Sequence, residues 1–541
     1  MVFTLQRYIF RELFKIFILA TVALTLILSF GGILRFVQEY GVGIREFLHI
    51  LFYFMPVTLT FVLPMAALFA AALTYGRFAS DNELDACRAS GIGIWTLVYP
   101  GLSLAILVAI ANLLLSFHVM PYFVRLAEQS LTADAKQILF RNIQRQGYYN
   151  LPLKKDQQYL IYADYADSKT NTLYGIVVIE STPQGFRRII TCESARVSFN
   201  RDDRFNEVQL TTHNTKRLGG LDDMWFEIGT ASFRQEFGSL LADRIKFKKI
   251  EEMKRIRANP MLFGPVAEIA HEAYIRLAAE LLAQDIRTRL NSSPAQFYPL
   301  DGKSQKVRFS AKDCSLENDP AVSLQPPTVV EEYAAQGDRP PQKFRCNKAV
   351  LYLEDSSPSM ASTSFTEPRL HMQLSNAEII ATGQSLIHHA ISGLAMPENI
   401  AQALASKPPL QLVRPGSIPS VLTVPPSPKL AGLQSSLDRE LRGTLVDITG
   451  EVNSRLVFGI GCIPMILIGI GLGIIKRGGH LLSAFGASCV PGAVLIVAII
   501  SGRQVAGNVR WEPTPGILIM WSGLVFLLLL TAVIYGKLLR R

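Results

Sequence analysis

The chain has 541 residues, of which 49% are hydrophobic and 18% are charged, and its formal net charge is +10. This composition is richer in apolar residues than an average soluble domain and excludes a disordered chain. The positive charge does not indicate nucleic acid binding, because the region from Arg125 to Arg455 holds 40 of the 54 basic residues and also 37 of the 44 acidic ones. We therefore expect no nucleic acid partner.

Six charge-free apolar segments, three near each end of the chain, are long enough for the roughly 20 residues of a membrane-spanning helix. They cover residues 16–34, 47–76, 89–124, 456–475, 478–502 and 513–536. The first segment follows basic residues, as a secretory signal does, but its 19 uncharged residues exceed the roughly 7–15 of a signal core. We interpret it as a retained anchor and predict transmembrane helices 1–3 within residues 1–124 and helices 4–6 within residues 441–541.

Basic residues at the ends of these segments predict the orientation. With a cytoplasmic N-terminus, ten Lys or Arg residues lie at the cytoplasmic ends. Only four lie at the opposite ends, namely Arg35, Arg45, Arg503 and Arg510. The positive-inside rule favours this orientation, and an even number of spans returns the C-terminus to the cytoplasm. The large middle region then lies on the opposite side of the membrane from the cytoplasm.

The first part of the middle region has the pattern of β-strands. Runs of β-branched and aromatic residues alternate with turn residues, and the strands are predicted at Tyr159–Tyr162, Leu173–Glu180, Arg187–Phe199, Phe205–Leu218 and Trp225–Phe237. This pattern predicts an antiparallel sandwich or jelly roll over residues 125–240.

The sequence pattern of residues 241–440 predicts an α/β or partly disordered extension. A helix is expected over residues 262–290, where Asp285 and Arg289 have the spacing of an i,i+4 ion pair. The pattern weakens over residues 292–345, and further strand-like runs occur at Ala349–Leu353 and Arg369–Leu374. Seven prolines within residues 407–428 favour a linker.

Cys314 and Cys346 lie in this exported region, where disulfides can persist. A bridge between them and two unpaired thiols both remain open.

Three fragments resemble catalytic or metal motifs without completing them. Gly302-Lys303-Ser304 ends like a phosphate-binding loop, but Phe297 stands where that loop needs Gly. His271-Glu272 begins a zinc-protease pattern, but Ile275 occupies the place of the second His. His388-His389 has no Cys or carboxylate at ligand spacing. We therefore expect neither an enzyme nor a bound metal or cofactor.

The loop between the second and third segments predicts a short cytoplasmic helix at about residues 81–90. Ser80 and Glu83 have the spacing of a capping box, and Gly91 supplies a stop signal. Such a helix often contacts a separate ATPase in transporters, and a surface helix without a partner is the alternative. Close helix packing is predicted for the fourth segment, where Gly469 and Gly473 are spaced by four residues.

Several of these features together resemble the LptF/LptG permeases of lipopolysaccharide export. The resemblance is carried by Arg7-Tyr8, Pro64, the loop from Glu83 to Gly91, Pro121, the region from Tyr174-Gly175 to Ala195, and Glu451-Val-Asn-Ser-Arg455. It implies an α-helical membrane protein with six transmembrane helices, three on each side of a periplasmic antiparallel β-jelly-roll domain. Family members usually have a much shorter exported region, so residues 240–440 lack a counterpart.

The resemblance also implies a function and partners. The chain is expected to be one permease subunit of an ABC transporter that extracts lipopolysaccharide from the inner membrane and passes it to a periplasmic relay protein. A second LptF/LptG-type permease and a cytoplasmic ATPase dimer, which hydrolyses the ATP, are the other expected partners. Two other functions fit the same pattern: a membrane-anchored envelope assembly or scaffold protein, and an exporter of another glycolipid.

Three groups of candidate site residues follow. The resemblance assigns Glu83, Leu84 and Arg88 to ATPase coupling and Arg35 to the rim of the lipid cavity. Arg45, Arg503 and Arg510 join Arg35 as candidate lipid-headgroup contacts, because the forked guanidinium suits phosphates and carboxylates, although ordinary snorkelling is the alternative. The inward residues of the β-domain line either a lipid groove or a plain core, and they are Ile176, Val178, Ile189 and Val197.

Overall fold

The structure is a computed structural model. It describes residues 2–40, 44–154, 157–168, 170–182, 185–201, 206–219, 226–237, 244–292, 297–302, 305–317, 321–334, 341–354, 367–414, 424–475, 481–508 and 513–540. The chain divides into two compact units. The first unit comprises residues 1–254 and 445–541, and the second comprises residues 255–444.

The α-helices are α1 Val2–Tyr40, α2 Ile44–Ser80, α3 Glu83–Ala89, α4 Ile94–Leu114, α5 Met120–Gln146, α6 Ile250–Ala258, α7 Gly264–Ser292, α8 Glu398–Ala405, α9 Pro409–Val413, α10 Pro428–Ile475, α11 Leu481–Asn508 and α12 Thr514–Arg540. A π-helical turn, Leu115–Val119, joins α4 to α5, and a 3₁₀ turn, Ile245–Phe247, precedes α6. The strands are β1 Tyr148–Lys154, β2 Gln157–Asp167, β3 Thr172–Thr182, β4 Gly185–Arg201, β5 Asn206–Gly219, β6 Phe226–Phe237, β7 Tyr298–Asp301, β8 Gln305–Ser310, β9 Cys314–Leu316, β10 Ala321–Leu324, β11 Thr328–Ala334, β12 Gln342–Glu354, β13 Arg369–Ile379 and β14 Ser385–Leu394.

Six helices among the described residues are long and apolar enough to cross a membrane, which confirms the predicted spans. These candidate spans are Phe3–Gly31, Leu51–Ser80, Ile94–Ala127, Pro428–Ile475, Cys489–Gly507 and Thr514–Arg540. Both membrane blocks contribute to one hydrophobic core. Helices from the two ends of the chain therefore form a single bundle.

Close packing between α10 and α2 depends on two glycines of α10. A Cβ atom at Gly469 would lie 2.9 Å from Leu68 Cδ1, and a Cβ atom at Gly473 would lie 3.0 Å from the carbonyl oxygen of Ala72. Side chains at these positions would push the helices apart, so the prediction of close packing is confirmed.

The first sheet is an antiparallel meander over the described strands, in the order β1-β2-β3-β4-β5-β6. The five predicted strands correspond to β2–β6, and β1 was not predicted as a separate strand. Each strand pairs with its neighbours in the chain, so the order of the strands does not confirm the connectivity of a jelly roll. The antiparallel β-domain itself is confirmed.

Helix α5 joins the membrane bundle to this sheet and packs against it. Phe140 and Ile143 of α5 are buried in a common core with Leu173 and Val197. The helix ends at Gly147, whose φ of 78° is the left-handed conformation that favours glycine at a helix C-terminus. The C-terminal part of α5, the helix that continues from the third span, is therefore attached to the first sheet by an apolar core.

The second unit contains α7, which confirms the helix expected at residues 262–290, and a second antiparallel sheet. Its path over the described strands is β14-β13-β12-β11-β8-β7, with β9 and β10 attached beside β12. The ends of this path approach each other, because Gly302 forms an isolated bridge with Leu394 and the Ala395 amide donates to the carbonyl oxygen of Asp301 at 2.8 Å. The described part of the extension thus consists of α-helices and β-strands. Residues 415–423 of the expected linker lie outside the described residues.

Cys314 and Cys346 are buried and unbridged in this unit. The Cys314 thiol donates to the carbonyl oxygen of Ala283 at 3.3 Å, and the Cys346 thiol donates to that of Thr328 at 3.7 Å. Burial raises the pKa of each thiol to about 11. Of the two alternatives, the structure therefore has the unpaired thiols.

A buried ion pair on α7 ties that helix to the start of α10. Arg276 and Glu280 are each 6% exposed, and Arg276 Nε donates to Glu280 Oε1 at 3.3 Å. The Glu280 carboxylate accepts hydrogen bonds from the amide and the hydroxyl of Ser427, and the Ser427 hydroxyl oxygen in turn accepts from the Leu430 amide. Ser427 acts as the N-cap of α10 and is itself held by Glu280. The expected pair of Asp285 with Arg289 is also present, at 3.5 Å.

Glu280→Ala is expected to destabilise the second unit by about 3–5 kcal/mol, because it leaves the buried Arg276 without this carboxylate. The measurement is the rate at which a thiol reagent labels Cys346 in the full chain. We expect labelling to accelerate roughly 100-fold or more, since labelling reports opening of the unit. Glu272→Ala, which removes an exposed glutamate from the same helix, is the control. Equal labelling rates in both variants would contradict the role of Glu280.

Candidate functional site

The predicted cytoplasmic helix is α3. Its C-terminal end was predicted correctly, and its N-terminal cap was not. The N-cap is Asn82, with a φ of 60°, and not Ser80. The capping-box prediction was wrong because α2 continues through Ser80, where the following amide, that of Asp81, still donates to the carbonyl oxygen of Arg77 at 2.8 Å. At the other end Gly91 has a φ of 82°, and its amide donates to the carbonyl oxygen of Arg88 at 2.9 Å. The glycine stop signal is therefore confirmed.

The three candidate coupling residues occupy different environments on α3. Leu84 is 5% exposed and belongs to the core of the membrane bundle, together with Phe78 and Ala79 at the end of α2. Glu83 and Arg88 are exposed. An apolar anchor thus holds the helix to the bundle, while one acid and one base remain accessible to another protein.

The N-terminal helix α1 contacts the end of α2, just before the loop that carries α3. Glu12 of α1 lies 3.6 Å from Arg77 and 3.3 Å from Lys15. The guanidinium of Arg77 lies 5.4 Å from the centre of the Phe78 ring, and that ring stacks on Tyr8. Exposed ion pairs contribute little to stability individually. Together these contacts place the start of the chain beside the loop that carries α3.

Of the four candidate headgroup arginines, the structure describes the side chain of Arg503. Arg35 lies near the end of α1 and Arg45 near the start of α2, but their side chains, like the whole of Arg510, lie outside the described residues. The Arg503 side chain is 36% exposed, and its guanidinium lies 2.7 Å from Glu451 Oε2. Arg503 is therefore part of an ionic cluster with α10.

The centre of this cluster is the pair Glu451 and Arg455, whose side chains are 4% and 3% exposed. Arg455 Nε donates to Glu451 Oε1 at 2.8 Å. Its other two nitrogens donate to backbone, Nη1 to the carbonyl oxygen of Ser116 at 2.9 Å and Nη2 to that of Lys246 at 2.6 Å. The Phe117 ring lies 5.5 Å from the guanidinium carbon. From the sequence, this pair carried part of the resemblance and had no predicted role, although an acid and a base at i,i+4 spacing before an apolar segment are a visible signal.

Lys246 is a third cation in this cluster. It is half-buried, and its ammonium lies 5.7 Å from the centre of the Phe61 ring. Burial lowers the pKa of Lys246, and the negative charge of Glu451 opposes that shift. Glu451 therefore interacts with cations from three separate segments of the first unit: Lys246, Arg455 and Arg503.

Three of the four candidate groove residues, Ile176, Val178 and Val197, lie on the face of the first sheet that meets α5. Ile176 and Val197 are buried in the core that includes Phe140 and Ile143 of α5, and Val178 packs against that core as a partly buried residue. Ile189 was wrongly grouped with them: Val178 pairs with Ile190, so the neighbouring Ile189 lies on the opposite face of the sheet, where it is half-buried. The structure brings Ile176, Val178 and Val197 together, and their described contacts belong to the protein core.

Comparison with known proteins gives one family. Residues 7–254 match the model of the family described as lipopolysaccharide export system permease LptF/LptG. No curated protein matches the chain. The matched residues include the first membrane block, α3 and the first sheet, and they end where the second unit begins. Residues 445–541 lie outside the match but share the hydrophobic core of the first unit.

Leu84→Ala is expected to loosen α3, because truncating a buried leucine costs about 2–5 kcal/mol. The measurement is amide hydrogen exchange at Ser90, whose amide donates to the carbonyl oxygen of Ala86 at 3.1 Å. We expect exchange to accelerate roughly tenfold or more. Leu84→Met conserves the side-chain volume and is the control. Unchanged exchange in Leu84→Ala would show that Leu84 does not anchor the helix.

Proposed function

The chain belongs to the LptF/LptG permease family over residues 7–254, and from that premise we propose that it is a permease subunit of an ABC transporter for lipopolysaccharide. In this function the subunit extracts the lipid from the inner membrane and passes it to a periplasmic relay toward the outer membrane. The observation that carries the proposal is the family match, which spans the first membrane block, α3 and the first sheet. The shared core of the six candidate spans supports including the second membrane block in the same permease.

The proposed topology has both termini in the cytoplasm and both sheets in the periplasm. Ten basic residues at one set of span ends, against four at the other, support this orientation. Helix α3 then lies on the cytoplasmic side, because it follows the second span. The first sheet serves as the periplasmic β-domain that the family's jelly roll provides, and residues 241–440 form a periplasmic extension.

We assign the coupling role to α3. The exposed Glu83 and Arg88 are suited to pair with charged side chains of a separate ATPase dimer, and the buried Leu84 carries the movement of α3 into the bundle. A second LptF/LptG-type subunit faces this one and completes the lipid cavity. ATP is hydrolysed by the ATPase, and no bond in the lipid changes.

The headgroup and the acyl chains of the lipid have different proposed contacts. Arg35, Arg45, Arg503 and Arg510 at the periplasmic ends of the spans contact phosphates and carboxylates of the headgroup. The apolar face of the first sheet, with Ile176, Val178 and Val197, receives acyl chains. Because Phe140 and Ile143 of α5 share a core with this face, acyl chains reach it only after α5 separates from the sheet.

Purification of the full chain from its own membranes in mild detergent tests the proposal against the two alternatives. A permease brings an ATPase and a second permease subunit, and mass spectrometry of the bound lipid finds lipopolysaccharide. A scaffold protein brings no ATPase. An exporter of another glycolipid brings the ATPase with that glycolipid as the main bound lipid.

Glu83→Ala is expected to weaken ATPase association at least tenfold, because the exposed carboxylate is lost from the coupling surface while Leu84 still anchors α3. Co-purification of the ATPase with the full chain measures this effect. Asp81→Ala removes an exposed carboxylate from the same loop but outside α3, and it serves as the control. Undiminished ATPase recovery with Glu83→Ala would remove Glu83 from the coupling role.

Arg35→Ala is expected to reduce photo-crosslinking of lipopolysaccharide to the first span severalfold, because a bidentate partner for phosphate is lost. The probe is a photoreactive residue placed beside position 35. Arg7→Ala, at the opposite end of the same helix, is the control and should leave crosslinking unchanged. Equal crosslinking in Arg35→Ala and the unmodified chain would indicate that Arg35 only snorkels to the membrane surface.

A further inference from the structure

One side chain, Arg455, contacts both segments that connect the first sheet to the membrane bundle. The chain enters the sheet through the π-helical turn and α5, and Arg455 donates to the carbonyl oxygen of Ser116 within that turn. The chain leaves the sheet through the 3₁₀ turn before α6, and Arg455 donates to the carbonyl oxygen of Lys246 within it. The remaining guanidinium nitrogen, Nε, donates to Glu451 on the same helix, α10.

The π-helical turn gives a physical reason for an arginine at this position. A π-turn interrupts the regular i to i+4 hydrogen bonding of a helix, and such turns occur frequently at functional sites. A carbonyl without a partner is costly within an apolar bundle, where water is excluded. The guanidinium supplies that partner to Ser116 and stabilises the interruption in the third span.

Glu451 extends this connection to a further helix. One carboxylate oxygen accepts from Arg455 Nε, and the other lies 2.7 Å from Arg503 of α11. The third, fourth and fifth candidate spans and the exit from the sheet therefore meet at one buried ionic cluster. The ion pair of Arg125 with Glu252 also joins the entry and exit segments.

We propose that Arg455 is a positioning residue for lipid transfer, which holds the base of the first sheet in register with the membrane helices as the helices move. This inference rests on the proposed function. It requires the planar fork of arginine, because three donor nitrogens reach three acceptors on separate segments. Lysine at this position keeps the charge beside Glu451 but cannot reproduce the fixed arrangement of donors.

The test uses the complete complex of this chain, its partner permease and the ATPase in liposomes that contain lipopolysaccharide, with the periplasmic relay as acceptor. For Arg455→Lys we expect assembly and ATP hydrolysis within twofold of the unmodified complex. Lipopolysaccharide transferred per ATP falls at least tenfold, and the lipid concentration for half-maximal transfer is unchanged. Transfer per ATP within twofold of the unmodified complex would overturn the proposal.

Arg442→Lys is the matched control. Arg442 lies on the same helix and pairs with Asp438 at the same i,i+4 spacing, but its side chain is 54% exposed. We expect both hydrolysis and transfer to stay unchanged in this variant. An equal loss of transfer in Arg442→Lys would assign the effect to any change of arginine in α10 and overturn the specific role of Arg455.

A second variant exchanges the two charges, Glu451→Arg with Arg455→Glu. It tests the proposal if the Arg455→Lys chain does not assemble into the complex. The exchange keeps the ion pair but removes the guanidinium from position 455, so we expect transfer per ATP to remain at least tenfold below normal. Restored transfer would show that the ion pair alone suffices and would overturn the proposal.

Amide hydrogen exchange separates this proposal from the proposed function, because it needs no transport. The Phe247 and Lys248 amides donate within the 3₁₀ turn that Arg455 holds. In the full chain we expect both amides to exchange at least tenfold faster in the charge-exchange variant, and unchanged exchange would overturn the proposal. Faster exchange in that variant, combined with an unmodified complex that hydrolyses ATP but transfers no lipopolysaccharide, would contradict the proposed function while still showing that Arg455 holds the segment that leaves the sheet.

Discussion

A membrane interior contains no water to satisfy a charge or a backbone carbonyl, and the first unit is built around that constraint. Its candidate spans are helical, so nearly all of their backbone groups bond within the same helix. One interruption lies in the third span, where the π-helical turn offers the Ser116 carbonyl, Arg455 donates to it, and Glu451 balances the charge of Arg455. A buried ion pair of this kind adds little net stability, but removing one partner is costly. Both charged residues are therefore needed at these positions.

Two features at opposite ends of the bundle follow from this arrangement. At one end the ionic cluster holds the segments that enter and leave the first sheet. At the other end Leu84 of α3 is buried in the same hydrophobic core through which α2 and α10 pack. Gly469 and Gly473 bring the backbones of those two helices close together. Contacts within the first unit therefore join α3 to α2 and α10, and α10 carries the arginine that contacts the segments entering and leaving the first sheet.

Local sequence patterns predicted the features that depend on near neighbours in the chain. Apolar length predicted the spans, runs of β-branched and aromatic residues between turn residues predicted β2–β6, and helical spacing predicted α7. The predicted N-cap of α3 was wrong. Ser80 and Glu83 have the spacing of a capping box, but α2 continues through Ser80. The strands between residues 297 and 334 were missed because they are short and partly polar. The contacts of Arg455 join residues 209 and 339 positions apart, and no local pattern carries that information. The Glu451–Arg455 spacing was visible, but the backbone acceptors of Arg455 were not.

The central claim, that this chain exports lipopolysaccharide, is tested most directly by depleting it from its own cells and measuring lipopolysaccharide in separated inner and outer membranes. The account predicts that newly made lipopolysaccharide accumulates in the inner membrane while its chemical structure stays unchanged. Normal delivery of lipopolysaccharide to the outer membrane after complete depletion would contradict the account.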